Sequence, residues 1–148
     1  LIRDHRPVLG VVAAPVLGRP DAAAAGQLGI VVAGAAPAVQ ACAPLFVAIG
    51  RRSFDAGTDP AGAMALKLAN NFVLGCAIEA MSEAFSLVRK HGVAPAVLHD
   101  VLVEGLFACP AYQTYARLIA EQAWDRVGFS ARLALKDVRL VLEAGEAA

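Results

Sequence analysis

Residues 58–92 read TDPAGAMALKLANNFVLGCAIEAMSEAFSLVRKHG, and this segment sets the architecture of the chain. Thr58 and Asp59 are residues that cap helix N-termini, Pro60 suits a first helical turn, and Gly92 suits a helix end. The segment therefore predicts one helix of about 30 residues, which is long for a globular protein.

The middle of this helix, LKLANNF at 66–72, carries Lys67, Asn70 and Asn71 at positions i, i+3 and i+4 of one stripe. A lysine that reaches the surface, beside two asparagines that satisfy backbone groups, is the purely structural interpretation. Asparagine is a poor helix former, however, so two in succession mid-helix indicate side chains kept for hydrogen bonding. The residues alone leave both interpretations open.

The composition excludes some classes of partner. Hydrophobic residues make up 58% of the 148 residues and charged residues 18%, with 13 basic and 13 acidic side chains. A neutral balance argues against a nucleic-acid partner. The apolar region 61–88 is interrupted by one lysine, two asparagines and two glutamates, which are Lys67, Asn70, Asn71, Glu79 and Glu83. This predicts a mostly buried helix of a soluble protein and no membrane span. Only the mean hydropathy of +0.59 suggests a membrane-associated helical protein.

The cysteines and histidines are isolated from one another. Cys42, Cys76 and Cys109 form no CxxC pair, and the three histidines are far apart. We expect reduced, buried thiols in a cytoplasmic protein and no metal site. The chain opens with LIRDHRP and has no initiator Met, so we expect it to be a piece of a longer protein.

The first part of the chain has the pattern of an α/β layer. Residues 7–16 and 27–34 are strand-length β-branched runs, and 51–57 fits a third short strand. Residues 37–50 have helical spacing, although Pro44 interrupts them. Strand, loop, strand, helix and strand in this order predict the last part of such a layer.

Everything after Thr58 has helical periodicity. Besides the long helix, the pattern predicts amphipathic helices over 94–105, 110–124 and 130–148. The change from short β-branched runs to helical periodicity places a domain boundary near 55–60. The fold class predicted from these patterns is α/β followed by all-α.

Two further segments contain candidate functional residues. LALKDVRL at 133–140 holds Lys136 and Asp137, which taken alone are an ordinary solvated charge pair. In the segment 13–34, Pro15, Gly18 and Pro20 predict a turn just after a strand. That turn is either a simple surface loop or a substrate loop beyond the carboxyl end of a strand.

Together these motifs resemble one family. The order APV-x-G, then KLANN, then LKD is similar to that of the 3-hydroxyisobutyrate dehydrogenases, also called β-hydroxyacid dehydrogenases, and of the related imine-reductase-like oxidoreductases. The resemblance implies the end of a Rossmann-type NAD(P)-binding domain at 1–57. A truncated helical substrate and dimerisation domain would follow at 58–148, opened by a long interdomain helix. The Gly-rich dinucleotide fingerprint would lie before Leu1.

The resemblance also implies site residues. Lys67 matches the family's catalytic lysine, and Asn71, with its neighbour Asn70, matches an asparagine that holds the substrate or the lysine. Lys136 matches a lysine near the nicotinamide or the substrate carboxylate, and Asp137 would orient it. Phe129 would lie with them at the cofactor.

The substrate loop departs from the family pattern. Where these dehydrogenases have Ser-Gly-Gly, this chain has Leu17-Gly18-Arg19. Gly18 matches the substrate loop's glycine, and Arg19 is suited to take over carboxylate binding or else faces solvent. Phe107, Tyr112 and Phe129 would complete the wall of the pocket, although such aromatics are equally compatible with plain core.

The function that the resemblance implies is hydride transfer between a nicotinamide cofactor, NADP or else NAD, and a small hydroxy acid, keto acid or imine. We expect a cytoplasmic homodimer that binds a small molecule, and we expect this segment alone to be inactive. The alternative is a non-catalytic helical dimerisation or binding module in which Lys67 is structural.

Overall fold

The computed structural model describes residues 10–125 and 129–146. The chain forms two compact units, one of Leu1–Asn70 with Lys136–Ala148 and one of Asn71–Leu135. The described elements, in chain order, are β1 Val12–Ala13, β2 Val16–Leu17, α1 Pro20–Ala24, β3 Leu28–Gly34, α2 Ala36–Ile49, β4 Gly50–Asp55, α3 Pro60–Lys90, α4 Pro95–Glu104, α5 Pro110–Ala120 and α6 Ala131–Glu146.

The first unit is organised around the central strand β3. β1 and β2 pair with β3 antiparallel, with Val12 opposite Gly34 and Val16 opposite Ile30. β4 pairs with β3 in parallel after the α2 crossover, and its residues from Arg51 to Asp55 are exposed. Because β3 is covered on both faces, its sequence LGIVVAG is continuously apolar rather than alternating.

Alternate residues of β3 belong to two different apolar clusters. Leu28, Ile30 and Val32 pack against side chains of α1 and α2, including Ala22 and Phe46. On the opposite face, Val31 and Ala33 join Ala13 of β1 and Ala63 from the first turns of α3 in a second cluster. The period of two along a strand thus brings α2 to one face of the sheet and the start of α3 to the other.

The second unit is helical. Its core consists of four buried side chains from α3 and α5, which are Met81, Phe85, Ala116 and Ile119. Leu98 and Leu102 of α4 pack against this core. Arg89 of α3 donates hydrogen bonds from Nη2 to the carbonyl oxygens of Ile119 (2.7 Å) and Ala120 (3.3 Å), and it thereby satisfies the open C-terminal end of α5.

The predicted order of an α/β part followed by helices is confirmed. The central strand, the Pro44-containing helix and the four later helices all occur close to their predicted ranges. The strand predicted at 7–16 is wrong in its extent, because its described part forms the two short strands β1 and β2. Part of the predicted loop is the short helix α1, which begins at Pro20 and continues through a run of alanines.

The predictions of burial need larger corrections. α3 is not mostly buried: Leu66, Phe72 and Val73 are among its exposed side chains, and only narrow stripes of it contact the apolar clusters. Within the described residues, α3 is also the one helix long and apolar enough to cross a membrane. That criterion rests on length and composition alone, and core helices of soluble proteins meet it as well.

The cysteines are not buried as expected. Cys76 and Cys109 are exposed and Cys42 is half-buried. Cys109 is the N-cap residue of α5 and therefore lies in the turn that precedes that helix. Burial depends on which helix faces meet, and the local sequence around each cysteine does not specify this.

Candidate active site

The start of α3 is fixed by hydrogen bonds on its N-terminal side. The backbone N–H of Ala61 donates to Oδ1 of Asp59 (2.9 Å), so Asp59 satisfies one of the free amides of the first turn. Just before it, the N–H of Gly57 donates to Oδ1 of Asp55 (2.8 Å), which turns the chain out of β4. α3 thus begins directly from the carboxyl end of a sheet strand.

Lys67 lies one turn beyond the point where α3 contacts the sheet. Ala63 is fully buried against the cluster that contains Val31 and Ala33. Lys67 is at i+4 from Ala63, so it projects from the same side of the helix, about 6 Å further along the axis. Its side chain is half-buried.

The two asparagines belong to different units. Asn70 is exposed and ends the first segment of the first unit, and Asn71 is half-buried and begins the second unit. Both lie within the unbroken helix α3, so the predicted i, i+3, i+4 spacing from Lys67 is present in the structure. Their roles stay predictions.

The loop after β2 has a conformation that demands glycine. Gly18 has a φ of +143°, and a Cβ at this position would lie 2.8 Å from Cδ2 of Leu28. An L side chain is strained at this φ, and the leucine closes the space that the side chain would need. The turn therefore brings the backbone against β3 and leads into Arg19, the N-cap residue of α1.

Arg19 is the charged group of this loop. Its Nε lies 3.9 Å from Oδ1 of Asp21, a carboxylate that is itself largely exposed. The Nε atom is buried and has no hydrogen-bond partner among the described residues. Arg19 thus pairs with Asp21 through charge at a distance too long for a hydrogen bond.

Lys136 and Asp137 form the ion pair that the sequence suggested, but with unequal burial. Nζ of Lys136 lies 2.5 Å from Oδ1 of Asp137. The lysine is exposed, whereas Asp137 is the buried charged residue of α6. The pair is therefore an exposed cation held by a buried carboxylate, and the solvated pair considered from the sequence alone does not describe it.

The three predicted pocket aromatics do not share one cavity. The rings of Phe107 and Tyr112 stack with centroids 4.8 Å apart and an interplanar angle of 17°. Phe129 lines a 300 Å³ cavity of the second unit together with Tyr115 and Trp124, and neither Phe107 nor Tyr112 reaches it. Sequence reasoning grouped the three by residue type, which carries no information on which side of a helix each ring packs.

A groove of 590 Å³ in the first unit contains none of the predicted site residues. It lies between α2 and β4, with Val39 and Phe46 on one side and Ser53 and Asp55 on the other. In the parts of the chain that the structure describes, no three His, Cys, Asp or Glu side chains are grouped to hold a metal ion.

Comparison with known proteins places this arrangement in a family. Residues 61–148, more than half of the chain, match the family model for the NAD-binding domain of NADP-dependent 3-hydroxyisobutyrate dehydrogenase. The chain belongs to the 3-hydroxyisobutyrate dehydrogenase family. Residues 5–57 match a second model, the NAD-binding domain of 6-phosphogluconate dehydrogenase. The predicted family is therefore confirmed.

Relatives from bacteria support the same assignment. An uncharacterized oxidoreductase of Bacillus subtilis is 42% identical over 134 residues, which cover 90% of this chain and 46% of the relative. The NAD-dependent L-serine dehydrogenase of Pseudomonas aeruginosa is 35% identical over 145 residues, which cover 94% of this chain and 48% of that enzyme. The chain thus spans about half the length of the curated relatives it matches.

A solved member of the 3-hydroxyisobutyrate dehydrogenase family has the same fold. The Mycobacterium tuberculosis 3-hydroxyisobutyrate dehydrogenase, whose structure was determined with L-serine, superposes with a TM-score of 0.79 at 30% identity. The match covers 92% of this chain and 48% of that protein. The predicted fold, the end of a Rossmann-type domain followed by a helical domain, is confirmed.

One charged group of the described residues is chemically compatible with a nicotinamide dinucleotide. The exposed ammonium of Lys136, held by buried Asp137, is suited to an anionic or electron-rich part of such a cofactor. No G-x-G-x-x-G motif occurs in the 148 residues, so the family's pyrophosphate-binding turn is not among them. NAD(P) binding is a property of both matched family models.

Proposed function

We propose that this chain is the part of an NAD(P)-dependent oxidoreductase that carries the proton-transferring residue and most of the substrate contacts. The reaction is the interconversion of a small hydroxy acid with its oxo acid, or of an amine with its imine. NADP is the proposed cofactor because the larger matched region corresponds to an NADP-dependent family model. NAD supports the same chemistry.

Lys67 is the proposed catalytic residue. When the cofactor is bound, its reduced nicotinamide supplies the hydride that ends on the carbonyl or imine carbon. Nζ of Lys67 donates a proton to the oxygen or nitrogen as the double bond breaks, and solvent returns the proton to the lysine. In the oxidative direction the neutral amine of Lys67 accepts the proton of the hydroxyl group.

The observation that carries this proposal is the position of Lys67 on α3. The helix is anchored by buried Ala63 one turn earlier, so the half-buried lysine projects from a fixed point beside the sheet. Such an anchor limits the movement of a proton donor, and positioning is a large part of what a protein adds to this chemistry. A lysine on a surface helix without such an anchor would lack this fixed position.

The other site residues have supporting roles in this proposal. Asn70 and Asn71 hydrogen-bond the substrate or hold Lys67, and Gly18 gives the substrate loop its turn. Lys136 and Asp137, with Phe129, contact the cofactor. Phe107 and Tyr112 close the substrate pocket, and their stacked rings support a role as one apolar wall.

We also propose a cytoplasmic homodimer with a domain boundary at 57/58. The exposed apolar residues of α3, such as Phe72 and Val73, support burial against a second copy. Light scattering of the purified protein measures its oligomeric state. A monomer across the micromolar range of protein concentration would contradict the proposed homodimer. The proposed partner of the active site is a small molecule, without nucleic acid or membrane.

Replacement of Lys67 tests the catalytic proposal. In the protein as it is encoded, we expect Lys67→Met to lower kcat about 10²- to 10⁴-fold, the usual contribution of a general acid or base. NADPH binding, followed by fluorescence, should be unchanged. Lys90→Met, an exposed lysine at the end of the same helix, is the matched control and should keep full turnover.

The alternative is a helical dimerisation or binding module without catalysis. Its supporting observation is the exposed apolar surface of α3, which a partner would bury. In that case Lys67→Met and Lys90→Met would behave alike in every assay. Turnover that survives unchanged in Lys67→Met would remove the catalytic proposal.

A further inference from the structure

The apolar residue Leu17 lies on the side of the sheet from which α3 and Lys67 approach. Leu17 packs against the cluster of Ala13, Val31, Ala33 and Ala63, and Ala63 is one turn before Lys67. The surface of β2 that faces the start of α3 is therefore an isobutyl group without a hydrogen-bond donor. A carboxylate placed against it would lose hydration without gaining a partner, which is unfavourable.

Arg19 lies two residues further along the same loop. Two residues of chain span at most about 7 Å, and an arginine side chain extends the reach of the positive charge further. Gly18 makes the turn between Leu17 and Arg19, and its φ of +143° sets the direction in which the arginine leaves the backbone. The cationic side chain of Arg19 is thus separated from the apolar side chain of Leu17 by the turn at Gly18.

The guanidinium of Arg19 is only partly engaged. Its Nε is buried without a hydrogen bond to any described residue, and Asp21 approaches it at 3.9 Å. The side chain of Arg19 is 40% exposed and that of Asp21 is 79% exposed, so solvent screens this pair. A carboxylate that approaches from solvent can bond the terminal Nη atoms of the guanidinium and need not displace Asp21, which lies near the buried Nε.

We propose that Arg19 is the anion anchor of the substrate site and that it selects oxo acids whose carboxylate is separated from the reacting carbon by two or more carbons. Leu17 excludes a carboxylate attached directly to the reacting carbon, and Arg19 binds one that is further away. This inference rests on the proposed function, because Lys67 marks the position of the reacting carbon. Asp21 weakens the anchor because its negative charge, 3.9 Å from Nε of Arg19, repels a substrate carboxylate.

A carboxylate series tests this specificity in the protein as it is encoded. With NADPH, kcat/KM is measured for glyoxylate, malonic semialdehyde, succinic semialdehyde and glutaric semialdehyde, and for uncharged pentanal. We expect succinic or glutaric semialdehyde to exceed glyoxylate. We expect Arg19→Met to lower kcat/KM for the longer acids about 10- to 100-fold, as removal of a charged hydrogen-bond donor does, while pentanal changes little.

Companion variants separate charge from structure. Arg19→Lys should recover part of the kcat/KM for the longer acids, and Asp21→Asn should raise it. Arg51→Met, an exposed arginine of β4, is the control and should leave the series unchanged. Preference for glyoxylate, or an equal loss for acids and pentanal in Arg19→Met, would overturn the proposal.

Two further measurements distinguish the possible sources of failure. Calorimetric binding of glutarate, which is not reduced, needs no turnover. Binding that disappears in Arg19→Met supports the anchor even if no oxo acid is reduced and the proposed reaction fails. If NADPH affinity falls in Arg19→Met while glutarate affinity does not, Arg19 binds a cofactor phosphate and the proposal is overturned.

Discussion

Lys136 and Asp137 are consecutive residues of α6, yet the exposed ammonium of one lies 2.5 Å from the buried carboxylate of the other. Consecutive residues of a helix usually point about 100° apart. Here the lysine side chain folds back over the aspartate. The two partners of the pair therefore stand in different environments, and their removal should have different consequences.

Asp137→Ala should lower the free energy of unfolding by about 1–3 kcal/mol, because groups that contact a buried carboxylate lose their partner. Lys136→Ala should lower it by less than about 1 kcal/mol, since an exposed partner in an ion pair contributes little. Urea denaturation measures both. Equal losses of unfolding free energy in the two variants would contradict the different burial of Lys136 and Asp137.

The helical core should depend strongly on Phe85. This side chain is fully buried in the cluster with Met81 and Ile119, so Phe85→Ala leaves a cavity and should cost about 3–5 kcal/mol. Leu87→Ala, at a 58% exposed position on the same helix, should change stability by less than about 0.5 kcal/mol. Comparable urea midpoints for the two variants would show that the core is packed differently.

Gly18→Ala should distort the loop between β2 and α1, which is the proposed substrate loop. The new Cβ would combine a strained φ with a contact of 2.8 Å to Leu28, so the turn must shift together with Arg19. We expect a higher KM for the best substrate and a lower melting temperature. Gly75→Ala is the control, because no atom lies within 4 Å of a Cβ there, and it should stabilise α3 by about 0.5–1 kcal/mol. A Gly18→Ala protein with unchanged KM would remove the loop from the site.

Arg89→Met should destabilise the second unit by about 1–3 kcal/mol, because the carbonyl oxygens at the end of α5 lose their charged donor. Amide hydrogen exchange should be faster in α5 and unaffected in β3. Lys90→Met is the neighbouring control, with an expected loss of at most about 1 kcal/mol from the helix dipole. Uniformly faster exchange across both regions would assign Arg89 a global rather than a local role.

The sequence predicted those features that depend on neighbours along the chain. α3 begins and ends near its predicted limits because Asp59 and Pro60 start a helix locally and Gly92 stops it. The turn after β2 is likewise predicted from Pro15, Gly18 and Pro20, and Gly18 has a positive φ in the structure. The short helix α1 was missed because five residues of Pro, Asp and Ala have no apolar stripe that a periodicity could reveal.

Burial and grouping could not be predicted, since they depend on distant contacts. The exposure of Phe72 and the burial of Asp137 follow from which helix faces meet, and no local pattern encodes this. The packing of Leu17 on the Ala63 cluster joins residues more than 40 positions apart in the chain. The family resemblance indicates Lys67 as a candidate. The apolar surface formed by Leu17 and the Ala63 cluster is seen only in the structure.

The strand β4 has a consequence for the behaviour of the protein at high concentration. Within the described residues it pairs with β3 alone, so one edge of the sheet presents open backbone groups. Arg51 and Arg52 lie along this edge, and the guanidinium of Arg52 stands 4.9 Å from the ring centre of Phe54. Charges on an edge strand oppose docking of a strand from another molecule. We therefore expect the two arginines to oppose fibril growth through this edge, because they place like charges face to face whenever two copies approach edge to edge.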